Sequence, residues 1–104
     1  MKLEVTPFLV GCTKKEQACK VLEEAAEVFG AWQNCERCIN DPHIKPCYEC
    51  DFNDGTGFCS VKTFLADEIA DVVQAACNLA YRYGFDMSAA MERCTERQRA
   101  RGRL

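Results

Sequence analysis

The cysteines of this chain constrain its fold more than any other feature of the sequence. Nine cysteines occur in 104 residues, and an odd number excludes a complete set of intrachain disulfides. Five of the nine lie between residues 34 and 60, a segment that also holds two prolines and two glycines and has no apolar periodicity. We therefore expect that something other than a hydrophobic core holds this segment together.

Two C-x-x-C pairs inside this segment have the spacing of a metal site, namely Cys35 with Cys38 and Cys47 with Cys50. Each pair can clasp one metal from a tight turn, and two pairs complete a tetrahedron. Thiolate ligands favour zinc first and an iron–sulfur cluster second. Four sulfur ligands leave no open position for chemistry, so the sequence predicts a structural Zn²⁺ site.

The cysteines and the N-terminus together indicate a compartment. The first residues include Glu4 and Pro7 and only a short apolar run, which does not resemble a secretory signal. Charged residues interrupt every window long enough to span a membrane. We therefore expect a cytoplasmic protein with reduced thiols and no membrane partner. Reduced thiols can bind metal, and His43 and Cys59 are reserve ligands for the predicted zinc site.

Helical periodicity flanks the cysteine-rich segment on both sides. After an extended arm over residues 1–12, Thr13 and Glu16 fit a capping box, and apolar residues then recur at helical spacing as far as Trp32. These signals predict a first helix over about 13–33, with its apolar residues in one stripe.

A second helix begins near Ser60 or Thr63 and ends at Gly84, which suits a left-handed stop position. A third, shorter helix follows a cap at Asp86 or Ser88 and runs into an arginine-rich tail. With no strong strand signal, the predicted class is all-α, as a single domain over 1–104 with an insert at about 34–60.

Acids recur at i and i+3 in both predicted long helices, as Glu24 with Glu27 and Glu68 with Asp71. Side chains at this spacing point the same way from a helix, so antiparallel helices could bring four carboxylates together. Such a cluster needs a cation, and hard oxygen donors favour Mg²⁺, Mn²⁺ or Ca²⁺ over zinc. On spacing alone, however, a solvated polar face remains the commoner reason for such a pattern.

The polar face of the second helix continues beyond its acids with amides and an arginine, as Gln74, Asn78 and Arg82. A row of acid, amide and arginine can line a site for phosphate and metal, which weighs mildly against a purely solvated face. The only histidine, His43, lies outside the predicted helices, which argues against a di-iron bundle and against Ser-His or Cys-His hydrolases.

The two acid patterns resemble the E-x-x-E and E-x-x-D halves of the MazG-like all-α nucleoside triphosphate pyrophosphohydrolases. Asn78, the turn at Tyr83–Asp86 and the basic tail over residues 96–103 resemble the same family. The likeness covers about residues 13–30 and 63–103. The 40 residues between Glu27 and Glu68 exceed the usual gap of the family, and the cysteine-rich insert accounts for the extra length.

This resemblance implies a Mg²⁺- or Mn²⁺-dependent cleavage of a nucleoside triphosphate to the monophosphate and pyrophosphate. It implies that Glu24, Glu27, Glu68 and Asp71 are the metal ligands and catalytic residues. The alternative is that one of the glutamates orients or deprotonates the water instead of binding metal. The resemblance further implies that substrate is contacted by Asn78, Arg97 and Arg101. Trp32 is a candidate to stack on the base, although its place in the apolar stripe favours the core.

Two long helices in so short a chain cannot cover both of their faces. We therefore expect a homodimer that forms a four-helix bundle, or a tetramer of two such pairs. The alternative to an enzyme is a zinc-stabilised helical module for protein or nucleic-acid binding. Acids outnumber bases in the insert, so nucleic acid is an unlikely partner on charge.

Overall fold

The computed structural model describes residues 1–40 and 60–104, and this part of the chain is helical, with no strand. Helix α1 spans Lys14–Asn40, α2 spans Ser60–Tyr83 and α3 spans Met87–Ala100. The predicted all-α class is confirmed. Among the described helices, none is both long enough and apolar enough to span a membrane.

Helix α1 begins where the sequence predicts. The Glu16 N–H donates to Thr13 Oγ1 at 3.1 Å, and the Thr13 N–H donates to Glu16 Oε1 at 3.4 Å. These reciprocal hydrogen bonds satisfy N–H groups that have no partner inside the helix, and they confirm the predicted capping box.

Helix α1 ends later than the sequence predicts, at Asn40 rather than near residue 33. No proline or glycine interrupts residues 33–40, so the helix continues although the apolar period has ended. Cys35 and Cys38 therefore lie on the helix itself, and the predicted tight turn at this pair is wrong. Cys47 and Cys50, with Cys59 and His43, lie outside the described residues.

A Schellman motif ends α2. Gly84 has φ +69°, its N–H donates to the Tyr81 carbonyl at 3.0 Å, and the Phe85 N–H donates to the Ala80 carbonyl at 3.1 Å. The chain then enters α3 at once, because Asp86 accepts a hydrogen bond from the Ala89 N–H at 3.0 Å. The predicted stop at Gly84 and the predicted cap at Asp86 are both confirmed.

Helices α1 and α2 pack side by side and run antiparallel, since the start of α1 meets the end of α2. The buried apolar residues of the described part of the chain are all small, and small residues allow helix backbones to approach closely; they are Ala31, Cys35, Ala75 and Ala80. Helix α3 contains no buried residue.

The larger side chains of the apolar stripe of α1 do not form this interface. Leu22 is 73% exposed, Phe29 is 58% exposed and Trp32 is 46% exposed. The contact face instead carries Gln17 and Glu24, both buried. Within one chain the apolar stripe is therefore buried only in part: Val21 and Val28 are half-buried, whereas its larger side chains are exposed.

Candidate metal centre

Three of the four predicted carboxylates meet between α1 and α2. Glu24, Glu68 and Asp71 each offer one oxygen, and these oxygens all lie within 4.8 Å of one another. Glu24 comes from the middle of α1, whereas Glu68 and Asp71 are one turn apart on α2. The antiparallel packing of the helices brings them together, as the i, i+3 spacing predicts.

The burial of Glu24 separates this cluster from ordinary surface acids, while Asp71 is exposed. Glu24 is only 7% exposed, and Glu68 is half-buried. The solvated polar face that spacing alone favours is therefore wrong for Glu24. A carboxylate removed from water is unstable without a compensating charge or donor.

Glu24 and Glu68 have only part of the opposite charge and hydrogen-bond donors that buried carboxylates need. Lys20 Nζ lies 2.9 Å from Glu24 Oε1. The other oxygen, Glu24 Oε2, is buried and has no hydrogen-bond donor while Glu27 is ionised, and the same holds for Glu68 Oε2. Buried acceptors without donors are rare in proteins, and a divalent cation bound by hard oxygen ligands supplies the missing partner. The donor set therefore fits Mg²⁺ or Mn²⁺.

The fourth predicted carboxylate, Glu27, is exposed and lies at the edge of this cluster. Its pKa is raised above the ordinary glutamate value, because its protonated carboxyl can donate a hydrogen bond to Glu24 and, next, to Glu68. The pKa of Glu24 is lowered instead, chiefly because Lys20 donates a hydrogen bond to its ionised form. Neighbouring carboxyls whose pKa values are driven apart can take different roles in proton transfer.

A cavity of about 890 Å³ opens beside the carboxylates. Glu24 and Asp71 belong to its lining, and so do Lys15 and Lys20, which contribute positive charge. The N-terminal arm forms part of the wall through residues 8–12. The cavity therefore joins an acidic cation site to a space large enough for a small organic ligand.

The polar row on α2 holds the arm in place. Asn78 Oδ1 accepts from the Phe8 N–H at 3.0 Å, and Gln74 Nε2 donates to the Thr6 carbonyl at 3.1 Å. Arg82 donates to the Cys12 carbonyl. Asn78, predicted to contact substrate, lines the cavity, but its oxygen is used for the arm.

Two functional candidates escaped sequence reasoning, Gln17 and Lys20. Gln17 is 3% exposed and lines the cavity, and Lys20 pairs with Glu24. The one signal in the sequence is the spacing of Gln17, Glu24 and Ala31, which recur every seven residues along one face of α1. This spacing is hard to recognise in the sequence, because larger apolar side chains form a more prominent stripe on the adjacent face of α1.

Three predicted substrate contacts are not brought to the cavity by the described part of the chain. Trp32 stacks on Phe29 with ring centroids 5.5 Å apart, and neither ring lines the cavity. Arg97 and Arg101 are exposed on and just beyond α3, and neither lines the cavity.

Cys35 is buried and Cys38 is half-buried. They are one helical turn apart on α1, a spacing at which both sulfurs can reach the same side of the helix. The described residues therefore supply two of the four predicted zinc ligands.

Comparisons with protein-family models, curated proteins and solved structures find no match. The function has to be inferred from the residues of the site themselves.

Proposed function

We propose that this protein is a Mg²⁺-dependent nucleoside triphosphate pyrophosphohydrolase, which converts a (d)NTP and water to the (d)NMP and pyrophosphate. One observation carries the proposal: Glu24, Glu68 and Asp71 present oxygens within 4.8 Å of one another, and two of the glutamate oxygens are buried without donors. The resemblance of the acid patterns to the MazG-like family supports the same activity.

The chemistry of the site suits a polyphosphate. Mg²⁺ held by these carboxylates would offset the negative charge of the phosphates and would make a water molecule more acidic. Glu24, Glu68 and Asp71 would hold the cation. Glu27 is the group best suited to accept a proton from the attacking water, because it lies beside these carboxylates and its own carboxyl is exposed. Lys15 and Lys20 would face the phosphates across the cavity.

The burial of Glu24 favours this activity over the non-enzymatic binding module. A module that uses its helices only as a scaffold gains nothing from a carboxylate oxygen that is removed from water and left without a donor. A cation site explains why that oxygen faces α2 rather than solvent.

The activity can be tested directly with purified protein. Incubation with Mg²⁺ and each common (d)NTP should release pyrophosphate and the monophosphate. Glu68→Gln and Asp71→Asn should each lower kcat/KM by at least about a hundredfold, because a catalytic metal supplies several kcal/mol of transition-state stabilisation.

Asp67→Asn is the matched control, since Asp67 is an exposed acid on the same helix outside the cluster. It should leave kcat/KM within about twofold of wild type, because surface substitutions away from a site have little effect. Absence of turnover by wild type, or equal losses in all three variants, contradicts the proposed activity.

We also propose that a structural Zn²⁺ bound by Cys35, Cys38, Cys47 and Cys50 stabilises the insert between α1 and α2. Elemental analysis of protein purified without added metal should give about one zinc per chain. Cys47→Ser with Cys50→Ser should abolish zinc binding, whereas Cys19→Ser, at an exposed thiol, should not. A folded, zinc-free wild-type protein rules this site out.

We further propose a homodimer in which two copies of the α1–α2 pair form a four-helix bundle of the MazG-like kind. The support is the apolar stripe of α1, whose larger side chains α2 leaves uncovered. A second copy of the chain offers the same stripe, and an isologous interface would bury both.

A further inference from the structure

Lys20 lies within reach of two glutamates of α1 and approaches only the buried one closely. Its Nζ lies 2.9 Å from Glu24 Oε1 but 4.0 Å from Glu23 Oε2. The Glu23 side chain is 66% exposed, whereas the Glu24 side chain is 10% exposed. The ammonium of Lys20 therefore pairs with the carboxylate that has lost most of its contact with water.

The burial of Glu24 makes this pair different from an ordinary surface ion pair. Exposed pairs contribute little to stability, because water already solvates both charges. A buried carboxylate lacks that solvation and is costly without a partner of opposite charge. The Lys20 ammonium therefore does at Glu24 what a metal cation would do there, which is to compensate a charge removed from water.

Lys20 supplies this compensation only in part, and it is free to move. It contacts Oε1 of Glu24, while Oε2 is buried and has no hydrogen-bond donor as long as Glu27 is ionised. The Lys20 side chain is 56% exposed and lines the cavity. The ammonium can therefore leave Glu24 and remain in contact with solvent.

Charge decides the outcome when two cations meet at one carboxylate. Lys20 carries one positive charge and a divalent ion carries two. For two such cations about 5 Å apart, the repulsion corresponds to about a tenfold change in affinity even at the dielectric constant of water. The ammonium and a divalent cation are therefore alternative partners of Glu24 rather than simultaneous ones.

We propose that Lys20 is a positioning residue that competes with the divalent cation for Glu24. Its ammonium holds the buried carboxylate in place between the helices, and it yields this position towards the cavity when the cation binds. This inference rests on the cation site of the proposed function and adds a regulation of that site, because Lys20 sets how much free cation the site needs.

Two measurements on Lys20→Met test the competition, and they should change in opposite directions. Without added divalent cation the Tm should fall, because Glu24 loses its partner. The affinity for Mn²⁺, measured by electron paramagnetic resonance of the free ion, should rise by at least about tenfold. Saturating Mn²⁺ should therefore raise the Tm of Lys20→Met more than that of wild type. Mildly alkaline buffer keeps the carboxylates ionised in both measurements.

Three further variants show whether the effect belongs to the pair of Lys20 with Glu24. Lys20→Arg keeps the charge and should keep the wild-type affinity and Tm. Lys15 lines the same cavity but lies nine residues before Glu24, about 13.5 Å along the helix axis. That separation exceeds the Debye length in physiological salt, so Lys15→Met should change the affinity by less than about threefold. In a Glu24→Gln background, Lys20→Met should give no gain in affinity, since the shared carboxylate is gone.

The outcomes separate this inference from the activity proposed for the same site. A lower Tm with unchanged or weaker Mn²⁺ binding in Lys20→Met shows a purely structural ion pair and overturns the inference. An equal gain in Lys15→Met, or a gain that persists in the Glu24→Gln background, overturns it as well. Absence of Mn²⁺ binding by both wild type and Lys20→Met overturns the cation site and the inference together. Failure of wild type to hydrolyse any (d)NTP contradicts the activity alone, because the Mn²⁺ measurements need no nucleotide.

Discussion

Single residues at the α1–α2 interface are unusual in being polar and buried at once. The sequence predicts the acid pairs, but it does not predict that Glu24 is withdrawn from water while its neighbour Glu23 remains exposed. Both are glutamates on one helix, but adjacent residues point in directions about 100° apart around the helix axis, so their surroundings differ. Burial and proximity, rather than residue type, distinguish the candidate ligand from the surface acid.

The raised pKa of Glu27 has a consequence for stability. Folded protein holds the Glu27 proton more tightly than unfolded protein, so this residue makes stability fall as pH rises from the ordinary glutamate pKa through the raised value. Glu27→Gln removes that dependence and adds an amide donor beside Glu24 and Glu68. In metal-free protein the variant should have a higher Tm than wild type at neutral pH, and the advantage should shrink in acid.

Thermal denaturation in EDTA across the acidic to neutral range measures this difference. Glu23→Gln removes the same charge four residues earlier on α1, at an exposed site, and should not reproduce the pH dependence. A Tm advantage of Glu27→Gln that is equal at every pH would show that like-charge repulsion is not its cause.

The ends of the helices lie where capping and stop residues predict them, except where the sequence has no such residue. The capping box at Thr13, the stop at Gly84 and the cap at Asp86 each depend on residues close in sequence, and each was predictable. The C-terminal end of α1 was not, because loss of apolar periodicity is not a stop signal. A helix continues until a residue or a contact breaks it.

Two glycines should respond in opposite ways to alanine. Gly84 has φ +69°, where alanine is strained, so Gly84→Ala should lower the free energy of unfolding by about 1–2 kcal/mol. Gly30 lies inside α1, and a Cβ added there meets no atom within 4 Å. Gly30→Ala should raise the free energy of unfolding by about 0.5–1 kcal/mol through helix propensity.

Urea denaturation followed by circular dichroism gives both values, and each glycine serves as the control for the other. Equal effects of the same sign would contradict the Schellman stop at the end of α2, since that motif depends on the left-handed conformation of Gly84.

The whole molecule leaves an apolar surface that its own described helices do not cover. Leu22, Phe29 and Trp32 are exposed along α1, while the small and polar residues beside them contact α2. A contiguous apolar stripe on a small protein is typical of a protein–protein interface. The four-helix bundle is therefore a property expected of two chains, not one.

Light scattering coupled to size exclusion should give a mass of at least twice the 11.7 kDa chain. Phe29→Glu should convert the dimer to monomer, because it places a charge in the centre of the proposed interface. Leu9→Glu makes a similar change on the exposed arm, outside the stripe, and should leave the mass unchanged. A monomeric wild-type protein would refute the dimer.

The sequence by itself determined the helical class, the helix starts and stops set by local capping, and the acid pairs, because each depends on residues within one or two helical turns. Only the tertiary structure decided which face of α1 meets α2, since packing depends on both helices and on the small residues that let them approach. That choice buries Glu24 and Gln17, leaves the larger apolar side chains of α1 exposed, and brings two ordinary patterns of polar residues together in one candidate site.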